Sequence, residues 1–410
     1  MPKPNLYICF FMCFCSFLLN AQIPGFYMKK GSKKIEIPFE LQDNFIVVKV
    51  LFEGIFPLKF IIDTGAEHTI LTKKEITNLL NVTYEHERTI VGTDMKMPIK
   101  AYIARKMRLD LENLTLVKDI LVLDEDYFKL DQFAGLEIHG IIGAEVFKGY
   151  VLKIDYLNKL LTIFDPSVFR LSDHKNFEEL PIEINRSKPY LHTTAQISGD
   201  TTVLMKLLLD TGAGLALLLH TYSNPLIVMP PKVIKGSIGN GLGGEIEGYI
   251  GRIRSLDIGK SKLQSVISHF QELHAESDST YILNRNGLIG GDLLHRFTVI
   301  FDFSKEKLYL KPNKFIKNLF EYDKSGIVPI ATGVALTKFV VYDVLPNTPG
   351  EDAGILRGDE LIKVGWIPAQ LLNLAVINNI FQGKEGRKVR ITIKRNGVKI
   401  KKVIRLRKYI

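Results

Sequence analysis

Between Lys33 and Pro312 the chain is written in short apolar runs, rich in β-branched and aromatic residues, that are interrupted by Gly, Pro or Asn-Gly. Such runs predict strands, because branched and aromatic side chains fit a pleated, half-buried surface and the interruptions supply turns. Helical spacing there is confined to short stretches such as "KKEITNLL" (73–80) and "GAEVFK" (143–148). From about Ser325 the pattern changes. A longer helical stretch, "AQLLNLAVINNIF" (369–381), leads into "KVRITIKR" and "KIKKVIRLRK", where charged and apolar residues alternate about "RNGV". Alternation of period two around Asn-Gly predicts a β-hairpin with one wet, basic face.

Laid over itself with an offset of 147 residues, the first pattern repeats. "KFIIDTGAEHTIL" from Lys59 falls on "KLLLDTGAGLALL" from Lys206, and "AYIARKMRLD" (101–110) on "GYIGRIRSLD" (248–257). "GIIGAEVF" (140–147) falls on "GLIGGDLL" (287–294), and "LKID" (152–155) on "VIFD" (299–302). Register held over so many residues is an internal duplication, and two copies predict paired lobes in place of a solenoid. The first lobe spans about residues 33–166 and the second about 181–313, joined by the polar, irregular stretch 165–180. The fold class expected is mostly β: two lobes related by a pseudo-twofold axis, followed by a smaller domain at 325–410.

The repeated Asp-Thr-Gly-Ala carries the chemistry. A buried apolar strand runs into Asp63, and Gly65 lets the backbone turn sharply, leaving the carboxylate at the mouth of the core. Alone, such an Asp is a turn or cap residue. Two copies facing one point, Asp63 and Asp210, cannot both ionise; they share a proton, one as base and one as acid, and can activate a water without metal, thiol or cofactor.

These residues resemble the aspartic proteases. The two Asp-Thr-Gly-Ala turns and the later triplets Ile141-Ile142-Gly143 and Leu288-Ile289-Gly290 look like that family's, with "GIFPLKFIIDTGAEHTIL" nearest the retroviral-type branch found in bacterial secreted enzymes, and two lobes in one chain as in pepsin. The resemblance implies an aspartic-type endopeptidase in which Asp63 and Asp210 hold the nucleophilic water. Thr64 and Thr211 would brace the loops across the axis, Gly65 and Gly212 would let the backbone approach, and the triplets would pack beneath. It also implies a β-hairpin flap after each turn. The matching positions are "IVGTDMKM" (90–97), with Gly92 and Thr93, and "SIGNGLGGEI" (237–246), with Gly241 and Gly243. Thr69 supplies a hydroxyl after the first turn, whereas Ala216 at the second has none, which leaves open a non-catalytic, peptide-binding scaffold. Extended, fairly apolar peptides would suit a dry cleft.

The stretch "VVYDVLPNTPGEDAGILRGDELIKVGW" (340–366) resembles a PDZ domain of the bacterial envelope type. That implies a peptide or protein partner added as a strand beside an exposed edge, with "ATGVALTKF" (331–339) as a loose match for the loop that receives a terminal carboxylate.

Other features limit the setting. "MPKPNLYICFFMCFCSFLLNA" has Lys3, no acid and a mostly apolar run from Leu6 to Leu19, the layout of a signal peptide over 1–21; the run is short for an uncleaved membrane anchor. All three cysteines, Cys9, Cys13 and Cys15, lie inside it, so the mature chain would carry no disulfide or thiolate chemistry. Export to a bacterial periplasm, envelope or medium is the expected localisation. The formal charge of +10 does not indicate nucleic acid, because from Arg387 to Lys408 its eleven cations sit on the hairpin's wet face. Weak attraction to an anionic envelope surface or acidic partner remains open. The nine histidines show no metal-ligand spacing, His68 needs no catalytic role, and no phosphate loop or Ser/His/Asp pattern is present, so no cofactor or metal is expected.

Overall fold

The computed structural model describes residues 27–28, 32–91, 98–126, 129–241, 244–272 and 284–410. The expected signal peptide 1–21 and the expected flap positions Gly92, Thr93 and Gly243 lie outside the described residues. The chain is mostly β, and the duplication is structural. In the first lobe the strand Phe56–Asp63 runs antiparallel to Phe45–Phe52 and parallel to Gly140–Gly143. In the second, Thr202–Leu209 runs antiparallel to Lys188–Gln196 and parallel to Gly287–Ile289. Beyond the parallel strand the order continues through Ile70–Leu71 to Leu114–Leu123 in one lobe, and through Leu217–His220 to Ser261–Gln271 in the other. A long strand, Pro98–Leu111 or Gly244–Ile258, pairs at both ends of that path and curls each sheet back upon itself. The central strands read as unbroken apolar runs because both faces are covered: Phe60, Ile61 and Ile62, like Leu207, Leu208 and Leu209, are buried.

A third sheet joins the lobes. Its order is Glu178–Pro181, Lys307–Pro312, Phe297–Asp302, Val151–Asp155, Leu160–Phe164 and Lys34–Pro38. At its centre a strand of one copy pairs antiparallel with the equivalent strand of the other, Lys153 opposite Ile300. The stretch 165–180 is more ordered than its polar composition implies. Its aromatic residues anchor it: Phe169 is buried with Val151, Ile300 and Tyr309, and Phe177 packs on the same cluster.

The C-terminal domain has a separate core built from Ile327, Phe339, Val341, Leu361, Ile377, Phe381, Ile391 and Ile404. Its strand order is Ile327–Thr332, Lys338–Val344, Glu360–Val364, Lys388–Arg395 and Val398–Arg405. The hairpin read from "RNGV" turns at Asn396 (φ 49°) and Gly397 (φ 83°), two positive values in succession as a type I′ turn requires. Arg395 leaves the wet face and forms a two-pronged ion pair with buried Asp359, at 2.7 Å for each prong. The stretch 369–381 is not one helix: a 3₁₀ turn, Ala369–Leu371, precedes the helix Leu374–Phe381. Asn373 causes the break, because its side chain caps the new helix by accepting from the Val376 N–H at 2.9 Å.

This domain is docked on the lobes. The helix Leu130–Ala134 of the first lobe packs on the edge strand Ile327–Thr332, and the Phe133 ring meets Tyr342 edge-on at 5.0 Å. Gly135, at φ 63°, lies so close that a Cβ there would come within 2.6 Å of Leu374 Cβ. On the other side Gly236 rests against Leu345, and Tyr342 faces Glu245, both partners belonging to the hairpin 233–258 of the second lobe. A cavity of about 750 Å³ remains between the three parts, lined among others by Asp43, Leu215, His269, Pro329 and Asn378.

Candidate active site

Asp63 ends the strand Phe56–Asp63, and Asp210 directly follows Thr202–Leu209. The parallel triplets hold both turns from beneath, Gly143 beside Asp63 and Ile289 beside Leu209, so each carboxyl leaves the sheet at the same height in its lobe. The lobes then meet turn to turn. A Cβ on Gly65 would lie 2.5 Å from Asp210 Cγ, and one on Gly212 would run into the Asp63 carboxyl. Only glycine permits that approach. The backbone N–H groups of Gly65 and Ala66 donate to Asp63 Oδ1 at 2.7 and 3.0 Å, and that of Gly212 donates to Asp210 Oδ1 at 2.9 Å. The remaining carboxyl oxygens face one another within hydrogen-bonding reach.

Thr64 and Thr211 lock this geometry. Each backbone N–H donates to the other threonine's Oγ1, and each hydroxyl donates to the carbonyl preceding the other lobe's aspartate, Leu209 at 2.7 Å and Ile62 at 2.8 Å. Both threonines are fully buried.

The two carboxyls do not titrate alike. Burial, then the charge of Asp210 and the hydrogen bond to it, hold Asp63 well above the usual carboxylate range. Burial raises Asp210 as well, but the bond from Asp63, the positive charge of Arg285 and the Gly212 N–H all favour its anion. Two carboxyls this close cannot both ionise readily, so the pair holds one shared proton to higher pH than an ordinary aspartate would. A group that donates and a group that accepts stand side by side in a buried site, the arrangement needed to take a proton from water and give one to a leaving nitrogen.

The supports of the two turns differ, and part of this was not legible in the sequence. In the first lobe Glu145 Oε1 accepts from the Thr69 N–H and hydroxyl at 2.7 and 2.9 Å and is ion-paired to Lys118. In the second, Asp292 takes the place of Glu145 and sits 3.8 Å from His295. Ala216 lacks the hydroxyl: where Gly143 N–H donates to Thr69 Oγ1 at 3.3 Å, the equivalent Gly290 N–H donates to the Ala216 carbonyl at 3.0 Å, and a bond common to both lobes, Gly291 N–H to the Ala213 carbonyl or Ala144 N–H to that of Ala66, adds to it. The first lobe adds one more, Asn44 Nδ2 donating to the Gly214 carbonyl at 2.9 Å.

Each lobe carries a hairpin at the matching place in sequence, Tyr84–Val91 with Pro98–Leu111 and Val233–Gly241 with Gly244–Ile258. Gly241 pairs with Gly244 at the end of the second ladder. His68 is exposed on the loop beyond Asp63, with Glu67 at 3.9 Å. Among the described residues no group of three His, Cys, Asp or Glu side chains is placed to hold a metal ion.

Residues 340–395 match the family model of the PDZ domain. Among solved structures, an aspartic proteinase from Irpex lacteus is similar over 70% of this chain and 99% of that chain, at 15% identity and a TM-score of 0.42. No curated protein matches the chain.

Proposed function

We propose that the protein is an aspartic-type endopeptidase, exported from the cell, that hydrolyses peptide bonds with a water activated between Asp63 and Asp210. One observation carries the proposal: two half-buried carboxyls from equivalent turns face each other within hydrogen-bonding reach, each approached by the other lobe's glycine, so close that they share a proton. The ionised carboxyl of the pair draws a proton from a water lying between the two as that water attacks the carbonyl carbon, and the protonated one gives its proton to the developing oxyanion. On collapse of the diol the first passes its proton to the leaving amine and the second recovers one from the diol. The lobes 33–166 and 181–313 supply this centre, and the domain 325–410 offers a PDZ surface for peptide or protein partners.

The contrasting reading, a scaffold that holds peptides without cutting them, drew its support from Ala216. Backbone bonds and Asn44 hold that turn without a hydroxyl, which supports catalysis over mere binding. Incubation with an unfolded protein such as reduced casein, with and without a statine inhibitor, is the test. Inhibitor-sensitive fragments, absent in Asp63→Asn and Asp210→Asn variants that remain folded, are expected. Fragments that persist in both variants, or no fragments at all from the intact chain, would defeat the proposal.

A further inference from the structure

Next to Asp210 the second lobe keeps positive charge that no described acidic residue neutralises by a direct ion pair. Arg285 stands just before the strand Gly287–Ile289 and is only 6% exposed. Its neighbour Asn286 fixes its position. The Asn286 N–H donates to the Lys206 carbonyl and its Oδ1 accepts from the Lys206 N–H, both at 2.8 Å, while its carbonyl accepts from the His220 N–H at 2.9 Å. Arg285 Nε has no hydrogen-bond partner, and the acidic groups that feel its charge are Tyr190 and Asp210. His220, 2% exposed and within range of Arg285, leaves both ring nitrogens without a partner as well.

A second cation adjoins. Tyr190 pairs with Leu208 across an antiparallel ladder, and extending that register by two residues sets Lys188 opposite Asp210. The charges around Lys188 are Arg285, Glu67, Arg186 and Asp210. Glu67 is already engaged with Arg186 at 3.6 Å, and Asp210 with Gly212 and Asp63. A buried donor such as Arg285 Nε is costly to leave unpaired, and a guanidinium offers five donors in a fork that fits a carboxylate. An anion that the described residues do not supply is one that a ligand of the cleft can bring.

We infer that Arg285 and Lys188 form a binding site for an acidic side chain of the substrate, an Asp or Glu close to the scissile bond, so that acidic peptide segments are selected over uniformly apolar ones. The inference rests on the proteolytic reading above. Its chemistry is a forked pair of charge-assisted hydrogen bonds from Arg285 to the substrate carboxylate, with Lys188 contributing a point charge.

Two measurements test it. In the first, a proteome-derived peptide library is digested and the cut sites are read by mass spectrometry. Asp or Glu should be enriched within two residues of the cut. For a cleaved peptide and its Glu→Gln twin, kcat/KM should differ at least 10-fold, a ratio that collapses in Arg285→Gln, shrinks in the more exposed Lys188→Gln and is largely kept in Arg285→Lys. If Arg285 only tuned Asp210, both peptides would lose activity together and the ratio would stand, which overturns the inference; so does a library profile indifferent to acid. In the second, two statine hexapeptides differing only in Glu or Gln beside the statine are titrated by calorimetry. At least 10-fold tighter binding of the Glu form, lost in Arg285→Gln, is expected, and equal affinities refute the site. The calorimetry reads the pocket even if no library peptide is cut, a result in which the proteolytic reading alone would fail.

Discussion

Thr64 and Thr211 hold each other's turns by reciprocal hydrogen bonds, the N–H of each reaching the Oγ1 of the other at 3.0 and 3.1 Å. Thr64→Ala would leave the Thr211 N–H and the Leu209 carbonyl unpaired in the core. Unfolding free energy should fall by about 2–4 kcal/mol in urea titrations, with Thr64→Ser recovering most of the loss. If serine and alanine were equally damaging, packing of the methyl group and not the bonds would be the cause.

The charge of the paired aspartates should be visible in stability. Both carboxyls are raised in the folded state, so their contribution is full below the pKa of an unfolded aspartate and is lost as pH rises through the folded values. Asp63→Asn, which cannot ionise, should melt higher than the wild type at pH 7 and no higher near pH 3. Cleavage should at the same time fall by about 10³-fold or more, and the wild-type rate should be greatest in acid, where one proton is retained. A wild-type enzyme with full turnover at pH 9 would contradict the shared proton.

Asp43 offers a separate reading of burial. It lies in a turn at φ 45°, lines the cavity between the three parts, and is pushed up to about 6 by desolvation. Asparagine tolerates that backbone conformation. The penalty on the wild type appears as pH rises through about 6, so Asp43→Asn should be more stable at pH 8 by about 2 kcal/mol and indistinguishable at pH 4. Denaturant titrations at the two pH values check it.

Docking of the C-terminal domain should hinge on Gly135. A side chain there would meet Leu374 and would also have to adopt φ 63°, so Gly135→Ala should loosen the contact, by about 1–3 kcal/mol. Hydrogen exchange of the edge strand Ile327–Thr332 should rise while that of Phe56–Asp63 stays slow. Unchanged protection of the edge strand would mean that the helix Leu130–Ala134 does not cover it.

Much of this architecture was legible because it rests on local pattern. The 147-residue offset aligned strands that do occupy equivalent places, and Asn396-Gly397 announced its turn through the one backbone geometry those residues favour. Features that depend on partners distant in sequence were not legible. Glu145 and Lys118 read as surface charges on a helical turn and a strand, and only folding brings them to Thr69. Arg285 is one cation in a polar stretch, without period or motif, and its burial beside Asp210 arises from the register of Asn286 against Lys206. The helix break at Asn373 was hidden because the flanking leucines and isoleucines keep an apolar period straight through it.

Val151–Asp155 and Phe297–Asp302, one from each copy, lie side by side in the sheet that joins the lobes. In a fragment carrying only one copy, that strand would be a bare edge able to recruit its counterpart from another molecule. Physical linkage turns what would be a bimolecular encounter, sensitive to dilution, into a contact present at any concentration. A chain joined in this way keeps its two-part centre assembled at any dilution.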